Sequence, residues 1–344
     1  MSALAEERGG GLVEPVEGGS GGELAEVVRG FRSHPGLLGK ARIAMVSDVF
    51  GPTDWDRGPG DDAAVLPQHD GRQALVAGEA MWPPFVERDP FGAGIAAVLA
   101  NVNDVAAMGG RPEALVDTIV ADEPSARSAL EGLRFGAELY RVPVVGGHLT
   151  IRSGPPALSA FVFGTARRPL RAVDAAPGQA LLFCACLDGG MREDFPFFSS
   201  IRERGAALAD DVRLLADLAE AGHCLAAKDV SMAGVLGSLA MLLEPTRCGV
   251  LVDLDALPRP PGVSLTAWVG AFPSLGFLLC ALPSQVPACR AAFGARGLAC
   301  EQIGLLDASG ALRARLGGRE ELLIDLGREP VTGLLGPQGQ AARR

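Results

Sequence analysis

The stretch that most constrains what this chain can fold into runs from Pro90 to Gly110, is apolar or small nearly throughout, and holds one charged residue, Asp104. Ile95, Val98, Val102 and Val105 recur at helical spacing, and Gly109-Gly110 followed by Pro112 supplies a stop, so the segment reads as a buried helix. A helix that is apolar on every side belongs in a core, yet this one carries Asn101, Asn103 and Asp104 in its last two turns. Desolvating a lone carboxylate costs several kcal/mol, so something must satisfy it. Asn101 and Asp104 stand three apart and share a face, which points either at internal hydrogen-bond partners or at a cation and its ligand.

Other acidic residues stand in special contexts around it. Asp61-Asp62 lies where the loop from Phe50 to Gly60 enters a strand at Asp62–Leu66, and adjacent carboxylates beside a flexible loop make a hard-oxygen site for Mg²⁺ or an Asp-rich turn. Glu79 follows the strand Ala74–Gly78. Lys228-Asp229-Val-Ser231 leads into an apolar helix from Val235 to Leu243, where Asp229 or Ser231 either caps the helix or faces a phosphate. Gly146-Gly147-His148-Leu-Thr150 ends a strand at Val142–Val145, where paired glycines let backbone N–H groups approach an anion and His148 and Thr150 add donors.

At 344 residues with 48% hydrophobic content, the chain is long enough for two domains with cores. A net charge of −10 without a basic run excludes a nucleic-acid surface. The acidic, Gly-rich start lacks the apolar segment of a secretory signal. The uncharged run from Pro260 to Cys289 is interrupted by Pro273, Pro283 and Pro287 and reads as a buried strand-turn-strand, not a membrane span, so a cytoplasmic location is expected. Seven cysteines form no CxxC pair, and Cys184 and Cys186 read as small core residues of one strand. Lys40 and Lys228 are the two lysines among 31 basic residues, and a point-charge ammonium is not interchangeable with guanidinium.

Read in order, residues 1–22 are expected to be disordered, Glu23–Phe31 helical and Arg42–Val46 a strand. A strand at Ala114–Val120, a helix at Ser125–Tyr140 and a strand at Ala157–Ala166 complete a first domain, 23–168. The composition shift at Arg167–Arg171 opens a second, 169–327, with strands at Ala180–Cys186, Gly249–Asp253, Phe277–Leu282, Cys300–Leu305 and Glu320–Asp325 and a helix at Asp211–Ala221. Residues 328–344 read as a flexible tail.

Gly60-Asp-Asp-Ala-Ala-Val65, Asn101-Val-Asn-Asp-Val-Ala-Ala-Met-Gly-Gly-Arg-Pro112, Gly146-Gly-His-Leu-Thr150, Pro177-Gly178 and Lys228-Asp-Val-Ser-Met-Ala-Gly-Val-Leu-Gly237 occur in an order that resembles the AIR synthase-related superfamily. That group includes aminoimidazole ribonucleotide synthetase, thiamine-monophosphate kinase, selenophosphate synthetase and a hydrogenase-maturation carbamoyl dehydratase. The resemblance implies a two-domain α/β (α+β), PurM-like architecture, with an N-terminal sheet domain that dimerises and a C-terminal α/β sandwich domain. It also implies ATP with Mg²⁺ in a cleft and phosphoryl transfer to a small molecule, with no nucleic-acid or membrane partner. Carried over by position, Asp61, Asp62, Glu79, Asp104 and Asp229 would hold metal. Gly60, Asn101, Asn103, Gly146, Gly147, His148 and Thr150 would line the nucleotide, and Lys40, His148 and Asp229 would act in catalysis. The departures are Glu79 and Met232, where thiamine-monophosphate kinases carry Asp, and a first cysteine as late as Cys184, where selenophosphate synthetases need one near the start. They suggest a divergent branch, either an enzyme on an unnamed substrate or a homologue that binds ATP without turnover.

Overall fold

The computed structural model describes residues 20–51, 60–68 and 71–334. The expectations for the first nineteen residues, for most of the glycine loop before Gly60 and for 335–344 lie outside them. Helices α1 (Ser20–Ser33), α2 (Pro35–Lys40) and α3 (Ala44–Phe50) open the described chain. Then come β1 (Ala64–Pro67), β2 (Gln73–Ala80), α4 (Pro83–Arg88), α5 (Pro90–Ala107), β3 (Arg111–Ala121), α6 (Glu123–Tyr140), β4 (Val144–Ile151) and β5 (Ala157–Ala166). The second half supplies β6 (Ala180–Ala185), β7 (Gly190–Met191), β8 (Phe197–Ser199), α7 (Ile201–Arg204), α8 (Leu208–Glu220), β9 (Ala226–Asp229), α9 (Gly234–Leu243) and β10 (Gly249–Asp253). It closes with α10 (Leu265–Gly270), β11 (Phe272–Pro273), β12 (Gly276–Ala281), α11 (Val286–Gly294), β13 (Ala299–Asp307), β14 (Ala311–Leu316) and β15 (Arg319–Asp325).

The first sheet has the order β1-β2-β5-β3-β4 and the second the order β15-β14-β10-β13-β6-β12-β9, with a small sheet β11-β8-β7 beside them. One apolar core lies between the two large sheets and contains residues of α5, α6, α8 and α11. A second core covers the far face of the seven-stranded sheet with α1, α9 and α10.

Helix α5 is the helix read from sequence. Asp89 caps it by accepting the Gly92 N–H at 2.8 Å, Pro90 occupies its first turn, and Gly109 leaves it at φ +66. It is long and apolar enough to cross a bilayer, but 67% of it is buried within the protein, which marks a core helix. Gly94 and Gly132 set the approach of α5 to α6: a Cβ on Gly94 would stand 2.2 Å from the Ala129 carbonyl oxygen, and one on Gly132 2.0 Å from that of Phe91.

Several expectations are corrected. Arg42–Val46 is not a strand but a 3-10 turn running into α3, because it meets no sheet edge and Met45 stays 65% exposed. Gly146 and Gly147 do not end a strand; they lie inside β4, where a Cβ on Gly147 would come within 2.6 Å of the Asp117 carboxylate, so the glycine lets β4 close on β3. Neither Asp229 nor Ser231 caps α9, which starts at Gly234 with no side-chain cap; the Ser231 N–H instead donates to the Ser238 hydroxyl at 3.0 Å. The run from Pro260 to Cys289 contains α10 ahead of its strands, since Ser264 caps a helical turn at the Ala267 N–H. Helix α1 begins at Ser20, so Ser20–Gly22 is ordered, and its stripe of Leu24, Val27, Val28 and Phe31 packs into the second core, away from the domain in which the sequence reading had placed it.

The tail is likewise ordered as far as Leu334. Glu244, 1% exposed, accepts hydrogen bonds from the backbone N–H groups of Val331, Thr332 and Gly333 and from the Thr332 hydroxyl at 2.6 Å. Replacing this carboxylate strands several buried donors at once. Glu244→Ala is expected to lower unfolding stability by about 3 kcal/mol in urea denaturation, with Glu244→Gln recovering part of the loss. A change below about 0.5 kcal/mol for Glu244→Ala would show that the clasp contributes nothing.

Candidate functional site

The two domains and α2 enclose a cleft of about 980 Å³, lined by Lys40, Gly60, Asp61, Asp62, Glu79, Asn103, Asp104, Lys228 and Asp229 together with an aromatic wall. The wall comes from separated segments: Phe85 stacks on Phe195 at 6.0 Å, Phe195 meets Phe272 edge-on at 5.4 Å, and Phe272 lies 5.0 Å from Phe197. Arg192, held by Asp194 at 3.0 Å and Asp89 at 3.4 Å, sits 5.8 Å from the Phe85 ring centre.

Three of the acids arrive on regular elements: Glu79 stands near the end of β2, Asp104 is in the last turn of α5, and Asp229 ends β9, while Asp62 sits in the bend just ahead of β1. Asp62, Asp104 and Asp229 each offer an oxygen within 4.8 Å of the others, although 42 and 125 residues separate successive members. Three carboxylates so placed form a hard-oxygen donor set of the kind that suits Mg²⁺, and they fit it. Lys228 is the cation present: its ammonium donates to Asp62 and, at 3.2 Å, to Asp229.

Asp61 lines the same cleft but spends its carboxylate on backbone, accepting the Ala172 N–H at 2.8 Å and the Asp62 N–H at 3.1 Å. It therefore ties the first domain to the segment that opens the second. Asn103 donates to the Ser274 carbonyl at 3.2 Å, a second interdomain tie, and its buried Oδ1 has no hydrogen-bond partner among the described residues. Asn101 is not in the cleft; it bridges the Ala97 and Ala160 carbonyls at 2.8 and 3.2 Å and so fastens α5 to β5. Gly146, Gly147, His148 and Thr150 are not brought to the cleft either. They lie along edge strand β4, with His148 and Thr150 3.2 Å apart.

The electrostatics follow from this crowding. Burial, then the neighbouring Asp229, Asp62 and Glu79, push the Asp104 carboxyl well above the usual carboxylate range. Burial and Asp62 raise Asp61 to about 7. Asp62 rises through burial and Asp229 although Lys228 opposes it. Glu79, whose side chain stays open to the cleft, rises through desolvation by the surrounding walls and the charge of Asp229, with Lys40 opposing. Burial alone would lower Lys228, but Asp62 and Asp229 outweigh it and hold the ammonium charged.

Sequence spacing revealed neither the lysine between two of the acids nor the aromatic wall. Lys228 adjoins Asp229 in sequence, but its partner Asp62 is 166 residues away. Phe85, Phe195 and Phe272 share no periodicity that could have announced them.

A two-domain α/β protein with an acidic interdomain cleft is what fold and site define, and comparison with known proteins agrees on the fold. Residues 60–166 match the family described as AIR synthase related protein, N-terminal domain, and residues 189–317 the corresponding C-terminal domain. The chain belongs to this family. It is 37% identical over 280 residues to the uncharacterized protein sll0787 of Synechocystis, covering 80% of this chain and 87% of that one. It is 26% identical over 246 residues to a selenide, water dikinase of Escherichia coli, covering 66% of this chain and 70% of the other. Among solved structures, Thermotoga maritima PurL complexed with ATP aligns with a TM-score of 0.73 at 18% identity over 92% of this chain, which spans 52% of that longer chain. AaThiL complexed with AMPPCP and TMP aligns with a TM-score of 0.62 at 15% identity, covering 82% of this chain and 96% of that one. The fold is therefore the two-domain PurM-like one.

The upward shifts set a pH dependence. A carboxyl whose folded-state pKa lies above its unfolded value contributes stability that is complete below the unfolded value and is lost as pH rises through the folded one. For Asp61 that window runs from the ordinary carboxylate value of 3.8 to about 7. In EDTA, the melting temperature is expected to fall from about pH 5 to about pH 8, and Asp61→Asn to flatten the fall. A profile in EDTA that is level over that range in the wild type would contradict the crowding.

Proposed function

We propose that this chain is a cytoplasmic ATP- and Mg²⁺-dependent phosphoryl-transfer enzyme, a kinase or synthetase acting on a small molecule. The observation that carries the reading is the convergence of Asp62, Asp104 and Asp229 on one cleft, their oxygens within 4.8 Å. Structural neighbours complexed with ATP and with AMPPCP support nucleotide binding, and a selenide, water dikinase among the relatives supports phosphoryl chemistry.

Asp62, Asp104 and Asp229 would hold the ion, with Glu79 at its margin. When bound, Mg²⁺ supplies charge neutralisation for phosphate oxygens. The rest falls to the chain's own groups. Lys40, which lies in the same cleft, supplies a positive charge for phosphate, and Asp61 and Asn103 hold the two domains in register so that the acids stay aligned. The aromatic wall excludes water and receives the apolar part of the acceptor.

The reading includes a homodimer. Val76, Val116, Phe161 and Phe163 stand about 40% exposed on the outer face of the first sheet, and β4, with His148 and Thr150, forms its edge. An exposed apolar sheet face of this kind suits a second copy, which would bury it and enclose His148 and Thr150 at the interface. Phe161→Asp is expected to shift the protein from dimer to monomer in light scattering; a wild type that is monomeric at all concentrations would remove this element.

Mg·ATP is expected to raise the melting temperature, and Asp104→Asn to abolish the rise. Turnover is read as ADP release across a panel of small amides, amines and phosphorylated alcohols. A mutant that keeps the full shift would remove Asp104 from the ion site. ATP binding without ADP release from any panel member would favour the non-catalytic reading, to which Met232, 46% exposed in the cleft, lends support.

A further inference from the structure

The ion cluster contains a group that its acids alone do not require. Lys228 is 13% exposed at its side chain and sits between Asp62 and Asp229, themselves 7% and 9% exposed. Asp62 is further engaged by the Asp229 N–H at 3.4 Å. The third acid, Asp104, is shown with no hydrogen bond or ion pair to its carboxylate among the described residues, and it bears on Lys228 through charge alone. One ammonium thus stands among three carboxyl groups and engages two of the three that a divalent ion would need.

An ammonium in hydrogen-bond contact with two carboxylates cannot stay there unaffected when Mg²⁺ coordinates them. Mg²⁺ takes its oxygens at about 2.0–2.1 Å, which would set two cations against each other within a few ångströms in a poorly solvated site. Lysine is suited to leaving. Its charge is compact, its four-carbon stem is flexible, and its three donors can be redirected to another anion. The open cleft adjoins it, lined by Lys40, Ser231 and Met232.

We propose that Lys228 is a resident counter-ion that fills the cation position between Asp62 and Asp229 in the ion-free protein, is displaced when a divalent ion binds, and is then taken up by the phosphate of the nucleotide. The inference rests on the phosphoryl-transfer reading and adds a positioning role to it. Because the ion and the lysine compete, divalent binding without nucleotide is weak, and it becomes strong when phosphate receives the displaced ammonium. Lys228 thereby couples ion binding to nucleotide binding.

The chain's lysines are Lys40 and Lys228, so amine acylation followed by mass spectrometry resolves both in the unaltered protein. Lys228 is expected to react slowly in EDTA, at least about tenfold faster with saturating Mn²⁺ alone, and slowly again with Mg²⁺ and AMPPCP together. Ion occupancy is measured separately by Mn²⁺ electron paramagnetic resonance. Lys228→Met is expected to bind Mn²⁺ alone about tenfold more tightly than wild type and Mg·AMPPCP about tenfold more weakly. A merely structural lysine would move both affinities the same way. If Mn²⁺ binds the wild type but Lys228 reactivity does not change, the counter-ion role is overturned while the ion site stands. If no Mn²⁺ binds, or Asp104→Asn binds it equally well, the phosphoryl-transfer reading and the inference fall together.

Discussion

Carboxylates held close together away from water repel one another and lose hydration, and the structure around the cleft depends on how that cost is met. Asp104 is 8% exposed and Asp229 6%, and the carboxyls of Asp104 and Asp62 are raised in pKa because burial and neighbouring acids act in the same direction. One lysine offsets part of the excess. The remainder is a standing demand for positive charge, and a folded chain keeps such an arrangement at a cost to its own stability when function requires it.

Meeting that demand takes both domains. Asp62, Glu79 and Asp104 come from the first sheet and its central helix, while Lys228 and Asp229 come from the edge of the second sheet. Helix α5 joins them because it is buried in the core between the sheets, with Asn103 and Asp104 of its last turns facing the interdomain cleft. Interdomain hydrogen bonds from Ala172 to Asp61 and from Asn103 to Ser274 keep the two halves aligned. Small movements between domains would therefore alter the ion site directly, since its ligands do not share one rigid element.

Much of this was legible from residues. The helix stop at Gly109-Gly110, the long alternating strands and the acidic positions at element ends all report local rules, and these segments fold as those rules require. What was misread had a tertiary cause in each case. Arg42–Val46 has a strand-like composition but no sheet edge to join. The glycines of β4 read as a strand end open to an anion, whereas they lie within the strand and Gly147 allows close pairing against Asp117. Residues 328–334 read as a loose tail because their anchor, Glu244, is buried roughly ninety positions earlier. Asn101 and Asn103 looked equivalent, yet helical rotation turns one toward β5 and the other toward the cleft.

The order of acids, glycines and apolar segments along the chain determined by itself most of the elements, α5 above all, and that a family fold underlies them, because hydrophobic periodicity and turn chemistry are local. Only the tertiary structure decided which acids meet, that Lys228 stands between Asp62 and Asp229, and that β4 lies outside the cleft. Carboxylates more than about a hundred ångströms of extended chain apart interact only once packing sets their separation, and Coulombic energy depends on that separation and on the burial around it.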